Sequence, residues 1–284
     1  METIQASFDP LLRKNPMGEA HKDALRLDFD RKLKLEFHGT KVTSNAGLLA
    51  YRELDEALGL IAMIHSALRD IRKGKNTQHG LTALLRQSIY RRLAGYEETN
   101  DAERLVLDPA MRHVAEGRAA KRSAASTSVM SRFETEILTQ PKNLELLMKL
   151  VGEWVDRVHQ RKSLKQIILD MDSSVSPTYG NQEGSAYNGY FECTCYHPFV
   201  RLQLFALVYN LGNFLKRLAL PKSVKKWSLR TLREKLIKIG AKVVRHSRYV
   251  VFQMAEVVVP KALFREILER IRQLRASPEL EAAG

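Results

Sequence analysis

The spacing of apolar residues predicts a mainly helical structure up to about residue 160. Apolar and charged residues alternate from Leu25 to Lys41, which is typical of a hairpin or a strand pair. Apolar residues then recur every three to four positions, as they do on one face of a helix. The predicted helices carry Leu48 to Leu58, residues 61–71, residues 81–93 and residues 141–160. Ser44 or Asn45 can cap the first helix, and residues 123–131 are typical of a linker.

The long helix over residues 141–160 has a continuous apolar stripe. The members of this stripe are spaced so that they share one side of the helix, and we expect them to be buried. They are Leu144, Leu147, Met148, Val151, Trp154, Val155 and Val158.

The pattern changes at Lys165. The run from Gln166 to Asp172 is short and apolar and ends in acids, which is typical of a buried strand. Glycines and a proline predict a loop over residues 173–189, and aromatic residues predict a second strand over residues 190–196. Helices are then predicted over residues 200–218, 228–239 and 261–274, with two strands between Ala241 and Val258.

Positive charge is concentrated in the C-terminal third of the chain. The formal net charge is +14, yet residues 1–199 carry 28 basic and 26 acidic residues. Residues 200–275 carry 18 basic and 4 acidic residues, and the remainder adds two glutamates. Such a field favours nucleic acid or another polyanion as partner, because basic side chains neutralise phosphates and release counterions. A solvated basic surface is the alternative.

Neither a membrane span nor a secretion signal is predicted. The sequence has no run of about 18 apolar residues, and its charged start has no apolar segment of the signal-peptide kind. Cys193 and Cys195 are too close together to link distant segments, which fits a reducing compartment. We therefore expect a cytoplasmic protein.

Cys193, Cys195 and His197 alternate and could share one face of a strand. That arrangement suggests a zinc site. A fourth ligand at the usual spacing is absent from the sequence, which favours the alternative of half-buried strand residues.

Two aspartates end the predicted buried strand and are candidate metal ligands. Asp170 and Asp172 are two positions apart, so in a strand they project to the same side. Together with Ser173 and Ser174 they offer the oxygen ligands that Mg²⁺ or Mn²⁺ prefers. Phosphoryl transfer on DNA commonly uses two such ions. The alternative is that the two acids only end the strand and cap the following turn.

Four stretches of the chain, taken together, carry a family resemblance. They are Lys34 to Gly47, Leu93 to Ala102, Ile168 to Pro198 and Phe205 to Phe214. These stretches resemble the insertion-sequence DDE transposases of the thirteen-eighty group, whose RNase-H-like catalytic domain binds divalent metal through an acid on its first strand. The resemblance implies that Asp172, which precedes a serine, is this acid, with Asp170 as the second choice. It also implies Mg²⁺ or Mn²⁺ as cofactor.

The chain departs from this family in the middle of the catalytic domain. The family has a second aspartate, and then a glutamate within a Tyr-x2-Arg-x3-Glu-x6-Lys signature, in a segment for which no room exists between Pro198 and Val200. No aspartate occurs after Asp172. The second acid is therefore missing unless a glutamate replaces it.

A partial copy of the glutamate signature occurs further along. Trp227, Arg230 and Glu234 have the signature spacing, but Ala241 stands where the lysine belongs. The surrounding sequence resembles the family's tail, beyond its true glutamate. We therefore expect Glu234 to be a helix-surface residue beside Lys235 rather than a third catalytic acid.

The predicted fold class is α+β and mostly helical, with an incomplete RNase-H-like α/β core. Residues 1–122 are predicted to form a mainly helical DNA-binding region, and residues 123–162 a linker and the long helix. Residues 163–199 form the remnant of the catalytic domain with its first acid. Residues 200–284 form a basic C-terminal helical region.

We expect a DNA-associated protein derived from a transposase and catalytically inactive, since one pair of aspartates is too few carboxylates for two divalent ions. Two groups of cations are candidates for contact with the element's terminal inverted repeats. The first comprises Arg86, Arg91 and Arg92, which lie off the apolar face of their helix. The second comprises Lys216, Arg217, Lys225, Lys226 and Arg230 in the basic tail. Solvated helix faces are the alternative for both groups.

Two further functions remain open. The chain could still act as a metal-dependent transposase or nuclease, with its acids completed by Glu234 or by another subunit. It could also be a regulatory module that binds full-length transposase. Loss of central strands also predicts self-association, because the strand that ends at Asp172 would keep an unpaired edge.

Overall fold

The computed structural model of the protein describes residues 41–74, 77–116, 123–161, 197–245 and 249–276, together with four two-residue strands outside these ranges. The chain divides into two compact units, Met1–Thr40 and Lys41–Gly284. In the first unit, strand β1 (Leu25–Arg26) pairs with strand β2 (Lys34–Leu35) in antiparallel orientation. The strand pair predicted for this stretch is confirmed.

The second unit begins with a short strand and five helices. They are β3 (Lys41–Thr43), α1 (Leu48–Leu58), α2 (Leu60–Ile64), α3 (Leu81–Leu93), α4 (Ala102–Leu105) and α5 (Pro109–Ala115). Gly59 separates α1 from α2 in the left-handed conformation, with a φ of 71°, which glycine adopts without steric cost. The Asp108 side chain caps α5 by accepting a hydrogen bond from the Met111 amide at 2.7 Å.

Two helix boundaries in this region differ from prediction. Gly47, rather than Ser44 or Asn45, occupies the N-cap of α1, because the chain there pairs with the segment after residue 236. Helix α2 ends at Ile64 instead of residue 71. The Asn143 side chain accepts a hydrogen bond from the Arg69 amide at 2.9 Å and donates one to the Arg69 carbonyl at 3.0 Å, so a side chain replaces the helical partners of this backbone.

The predicted linker is partly helical and packed. Helix α6 (Thr127–Arg132) continues into a π-helical turn, Phe133–Ile137, and the long helix α7 follows as Pro141–Arg161. Ala124 and Ala125 are buried. In α7 the residues buried most completely are Asn143, Leu147, Leu150, Trp154 and Val158. Met148 is 55% exposed, so its predicted burial is wrong; it lies at the edge of a narrower stripe than expected.

The rest of the second unit contains the following elements. They are β4 (Ala186–Tyr187), β5 (Glu192–Cys193), α8 (His197–Phe214) with a π-helical turn at Leu215–Ala219, α9 (Leu229–Leu232) with a π-helical turn at Arg233–Ile237, β6 (Ala241–Arg245), β7 (Val250–Met254) and α10 (Lys261–Ala276). Strands β4 and β5 are antiparallel. The Ser228 hydroxyl caps α9 by accepting a hydrogen bond from the Thr231 amide at 3.0 Å. The helices and the two late strands predicted here are confirmed.

A three-stranded antiparallel sheet joins distant parts of this unit. Its order is β3-β6-β7, with Val42 opposite Lys242 and Val243 opposite Phe252. The chain after β3 runs close to the π-helical turn after α9, where the Gly47 amide donates a hydrogen bond to the Ile237 carbonyl at 3.2 Å. A Cβ atom on Gly47 would lie 1.6 Å from the Leu236 carbonyl oxygen. Only glycine fits at this crossing.

One hydrophobic core is shared by the helices of the second unit. Helix α1 packs on α10, α3 on α5 and α8, and α7 on α8. Trp154 of α7 meets Phe214 of α8 edge to face, with ring centroids 4.9 Å apart. The fold is α+β and mostly helical, as predicted. Among the described helices, none combines the length and apolar character needed to cross a bilayer.

Candidate nucleic-acid interface

The predicted metal ligands Asp170 and Asp172 lie outside the described residues. The same holds for Cys195, while Cys193 and His197 are described in their backbone alone. Across the part of the chain that the structure describes, no three His, Cys, Asp or Glu side chains lie together in a way that could hold a metal ion. The metal site at Asp170 and Asp172 therefore stays a prediction.

Glu234 is a surface residue of the π-helical turn after α9. Its side chain is 58% exposed and accepts a hydrogen bond from Arg230 Nε at 2.8 Å, one helical turn earlier. This arrangement confirms the expectation of a helix-surface glutamate. The carboxylate is paired with Arg230, a cation of the same helical segment.

Arg91 and Arg92, in the last turn of α3, are both buried, with side-chain exposures of 0% and 1%. They share one carboxylate, that of Glu134 in the π-helical turn after α6. Arg92 donates to both Glu134 oxygens, at 2.9 and 2.8 Å, and Arg91 Nη2 donates to Oε1 at 2.9 Å. The Ser88 hydroxyl donates to the same carboxylate. The arrangement holds two cations and one anion inside the protein.

Main-chain carbonyl groups also accept hydrogen bonds from these arginines. Arg91 Nη1 donates to the carbonyls of residues 96–98, in the loop that leaves α3. Arg92 Nη1 donates to the Ser88 carbonyl at 3.1 Å, and its guanidinium lies 5.4 Å from the centre of the Phe205 ring. The predicted alternative of a solvated helix face is wrong for Arg91 and Arg92. Contact of these two residues with DNA stays a prediction, and it requires them to leave this network.

The two arginines stabilise the ionised form of the Glu134 carboxyl group. Burial raises the pKa of Glu134, but hydrogen bonds and positive charge from Arg92 and Arg91 outweigh burial and lower that pKa to about 2. The carboxylate is therefore ionised at neutral pH. Removing its charge would leave two buried guanidinium groups without a counterion, which is costly in a protein interior.

Arg86 is also engaged by acids of the protein. Its Nη2 donates to Glu56 at 3.0 Å, and its Nε lies 3.7 Å from Asp55, with the side chain 17% exposed. Asp55 in turn accepts a hydrogen bond from the Tyr90 hydroxyl at 2.9 Å. Burial raises the pKa of Asp55. Contact of Arg86 with DNA stays a prediction.

The cations of the basic tail have different surroundings. Lys222, Lys225 and Lys226 are exposed in the turn between α8 and α9. In the described part of the chain, none of these three lysines forms an ion pair. Arg230 is exposed and paired with Glu234, while Lys216 and Arg217 are half-buried after α8. The exposed lysines are thus placed to meet an external anion.

Sequence reasoning missed a further group of cations on α10. Lys261, Arg265 and Arg272 are exposed and, within the described residues, have no carboxylate partner. They line a groove of about 380 Å³ between β7 and α10, together with Phe252 and Phe264. Their spacing of four and seven residues places them on one helix face, a signal that the sequence contained.

A protein-family model matches most of the chain. A family model described as "Transposase DDE domain group 1" matches residues 25–201 and residues 199–276. The two matched segments meet at residues 199–201, in the first turn of α8. No curated protein and no solved structure matches the chain.

Proposed function

Because the chain belongs to the group 1 family of DDE transposase domains, we propose that it is a DNA-binding protein derived from an insertion-sequence transposase of the thirteen-eighty group and that it no longer cuts or joins DNA. One observation carries this proposal. The family match continues to residue 276, yet the chain has no aspartate after Asp172. A DDE centre uses a second aspartate and a glutamate, and the sequence lacks the first of these.

The division of the family match supports loss of an internal segment. The two matched segments overlap only at residues 199–201. The second acid and the glutamate signature belong between Pro198 and Val200, which is the same place. A single loss at this point accounts for both the divided match and the missing aspartate.

Mg²⁺ or Mn²⁺ is the cofactor that the family implies, and the described residues do not fit a two-ion centre. Glu234 and Glu266 each pair with an arginine of their own helical segment, and Glu256 accepts a hydrogen bond from the Lys261 amide at 2.7 Å. These glutamates lie on the surface, and their carboxylates are already bound by neighbouring groups of the same chain. Two divalent ions about 4 Å apart need several converging carboxylates. We therefore propose that the aspartate pair bind metal only weakly.

The proposed DNA-binding surface is the exposed part of the basic tail. Lys222, Lys225 and Lys226 are exposed, and Arg230 lies just beyond them at the start of α9. Exposed lysines without internal partners can neutralise phosphates at little structural cost. We propose that this surface contacts the terminal inverted repeats of the parent element.

A salt titration tests the DNA-binding part of the proposal. The full chain is titrated onto a duplex carrying the terminal inverted repeat and onto a duplex of scrambled sequence. We expect the logarithm of the affinity to fall linearly with the logarithm of salt concentration, and the repeat duplex to bind more tightly. Affinity that does not change with salt contradicts phosphate contact.

A plasmid assay tests the catalytic part. We expect no cleavage of supercoiled plasmid with Mn²⁺, either by the natural sequence or by Asp172→Ala. Cleavage that disappears in Asp172→Ala shows that an active metal-dependent nuclease is present and overturns the proposed inactivity. Because binding and cleavage are measured separately, either part of the proposal can fail alone.

A further inference from the structure

The groove between strand β7 and helix α10 combines an apolar floor with a basic rim. Phe252 and Met254 of β7 and Phe264 and Leu268 of α10 line this groove, and all four side chains are half-buried. The volume of the groove is about 380 Å³. Partly open apolar side chains of this kind offer contact area to a ligand that carries an apolar group.

The charges that line the groove are unbalanced. Lys261, Arg265 and Arg272 are exposed and have no carboxylate partner within the described residues. Glu256 is the acid in the lining, and its carboxylate accepts a hydrogen bond from the Lys261 amide at 2.7 Å. Three cations and one carboxylate leave a net charge of +2. The groove therefore favours a ligand with negative charge.

The other two cations of α10 have acid partners. Arg270 pairs with Glu266 of the same helix at 2.9 Å, and Arg275 pairs with Glu53 of α1 at 3.0 Å. The lack of a partner is therefore a property of the groove side of α10 and not of the whole helix. Carboxylates from outside the described residues would complete the pairing of this helix.

The sequence that follows α10 has the matching chemistry. Residues 277–284 lie outside the described residues, and their sequence is Ser-Pro-Glu-Leu-Glu-Ala-Ala-Gly. Glu279 and Glu281 flank Leu280, and the segment contains no Lys or Arg. Its charge of two carboxylates equals the excess positive charge of the groove. Pro278 is typical of a chain that leaves a helix sharply after its end.

We propose that the groove between β7 and α10 is the binding site of residues 277–284, which run back along α10. In this arrangement Glu279 meets Arg272, and Glu281 meets Arg265. The leucine between the two glutamates covers the apolar floor. The segment thereby neutralises cations that would otherwise attract an external polyanion, so it acts as an internal competitor for this side of α10.

The length of the segment fits this arrangement. A helix rises about 1.5 Å per residue, which places Arg272 about 6 Å and Arg265 about 16 Å before Ala276. An extended chain advances about 3.3 Å per residue, which places Glu279 about 10 Å and Glu281 about 16 Å beyond Ala276. The long side chains of arginine and glutamate cover the distance that the reversal of the chain requires.

Covalent connection makes a small contact area sufficient. Exposed ion pairs are individually weak, and a separate peptide of eight residues would gain little from two of them. Residues 277–284 are joined to α10, so their binding is intramolecular, with an effective concentration on the order of millimolar. The inference goes beyond the proposed function and does not depend on DNA binding.

A disulfide equilibrium in the full chain tests the contact. In a Cys193→Ser, Cys195→Ser background, Ala282→Cys is combined either with Ala255→Cys, which gives the groove pair, or with Ala262→Cys, which gives the control pair. Ala255 is exposed and lines the groove, whereas Ala262 is exposed on α10 and does not line the groove. Titration against glutathione measures the effective concentration of each pair. We expect a value about tenfold higher for the groove pair.

A charge variant tests the cause of the contact. Glu279→Gln with Glu281→Gln, added to the groove pair, should lower the effective concentration several-fold, because the ion pairs with α10 are lost. About 0.5 M salt should have a similar effect, since exposed ion pairs are screened. Glu97→Gln with Glu103→Gln is the matched control. It removes two exposed carboxylates elsewhere and should leave the value unaltered.

Two results overturn the proposal. The first is an effective concentration that is equal in the groove pair and the control pair. The second is a groove pair whose value stays the same after Glu279→Gln with Glu281→Gln. Both measurements use the chain without DNA, so their failure is distinct from a failure of the proposed DNA binding or of the proposed catalytic inactivity.

Discussion

Two groups of cations that look alike in the sequence differ in the structure. Arg91 and Arg92 on α3 are buried and share the carboxylate of Glu134. Lys225 and Lys226, between α8 and α9, are exposed and form no ion pair within the described residues. Both groups consist of two adjacent basic residues. Burial and the presence of a carboxylate partner separate them.

The difference indicates what each group contributes. A buried arginine that is removed, or deprived of its counterion, destabilises the fold, because an unpaired charge remains in the interior. An exposed lysine contributes little to folding but can neutralise a phosphate. We therefore expect the α3 arginines to control stability and the tail lysines to control affinity for DNA.

The largest expected effect follows from Glu134→Gln. The change removes the one carboxylate that Arg91 and Arg92 share, and it leaves two buried cations without a counterion. Breaking a buried ion pair in this way typically costs about 3–5 kcal/mol. Urea denaturation followed by circular dichroism should therefore show a much lower midpoint. Glu234→Gln is the control, because that glutamate is exposed, and its midpoint should stay that of the natural sequence.

A second, smaller effect should appear in acid. The pKa of Glu134 in the folded protein is about 2, below its ordinary value of 4.5. A lowered pKa in the folded state stabilises the protein above the unfolded value, and this stabilisation is lost as the pH falls from about 4.5 toward about 2. The difference in free energy of unfolding between the natural sequence and Glu134→Gln should therefore shrink over this range. A difference that stays constant from pH 6 to pH 3 contradicts a charged Glu134 as its source.

Much of the secondary structure could be predicted from the sequence, because local spacing determines it. Helices α1, α3, α7 and α10 follow from apolar residues three or four positions apart, and the strand pair β6 and β7 from alternation. The pairing of β3 with β6 could not be predicted in this way. Lys41 and Val243 are about two hundred residues apart, and no local pattern records such a contact.

The burial of Arg91 and Arg92 escaped prediction for a similar reason. Their partner Glu134 lies more than forty positions away, in a π-helical turn just after the residues that were predicted to form a linker. Their charge alone therefore suggested that Arg91 and Arg92 lie on the protein surface. Glu234, in contrast, has its partner Arg230 four positions earlier, and its place on the helix surface was predicted correctly. Local ion pairs can be read from spacing, whereas buried pairs between elements require the fold.

The smallest of the three effects concerns DNA and tests the other half of the comparison. Replacing Lys225 and Lys226 by glutamine removes two exposed charges that form no ion pair within the described residues. If both contact phosphates, the slope of log affinity against log salt should become shallower by about two, and affinity at moderate salt should fall on the order of tenfold. The thermal midpoint should not change, because neither side chain is packed. Fluorescence anisotropy with a labelled terminal-repeat duplex measures both slope and affinity.

Lys149→Gln removes an exposed charge on α7 and should leave the slope unaltered. An equal loss of slope in that control shows that general charge, rather than this surface, determines binding.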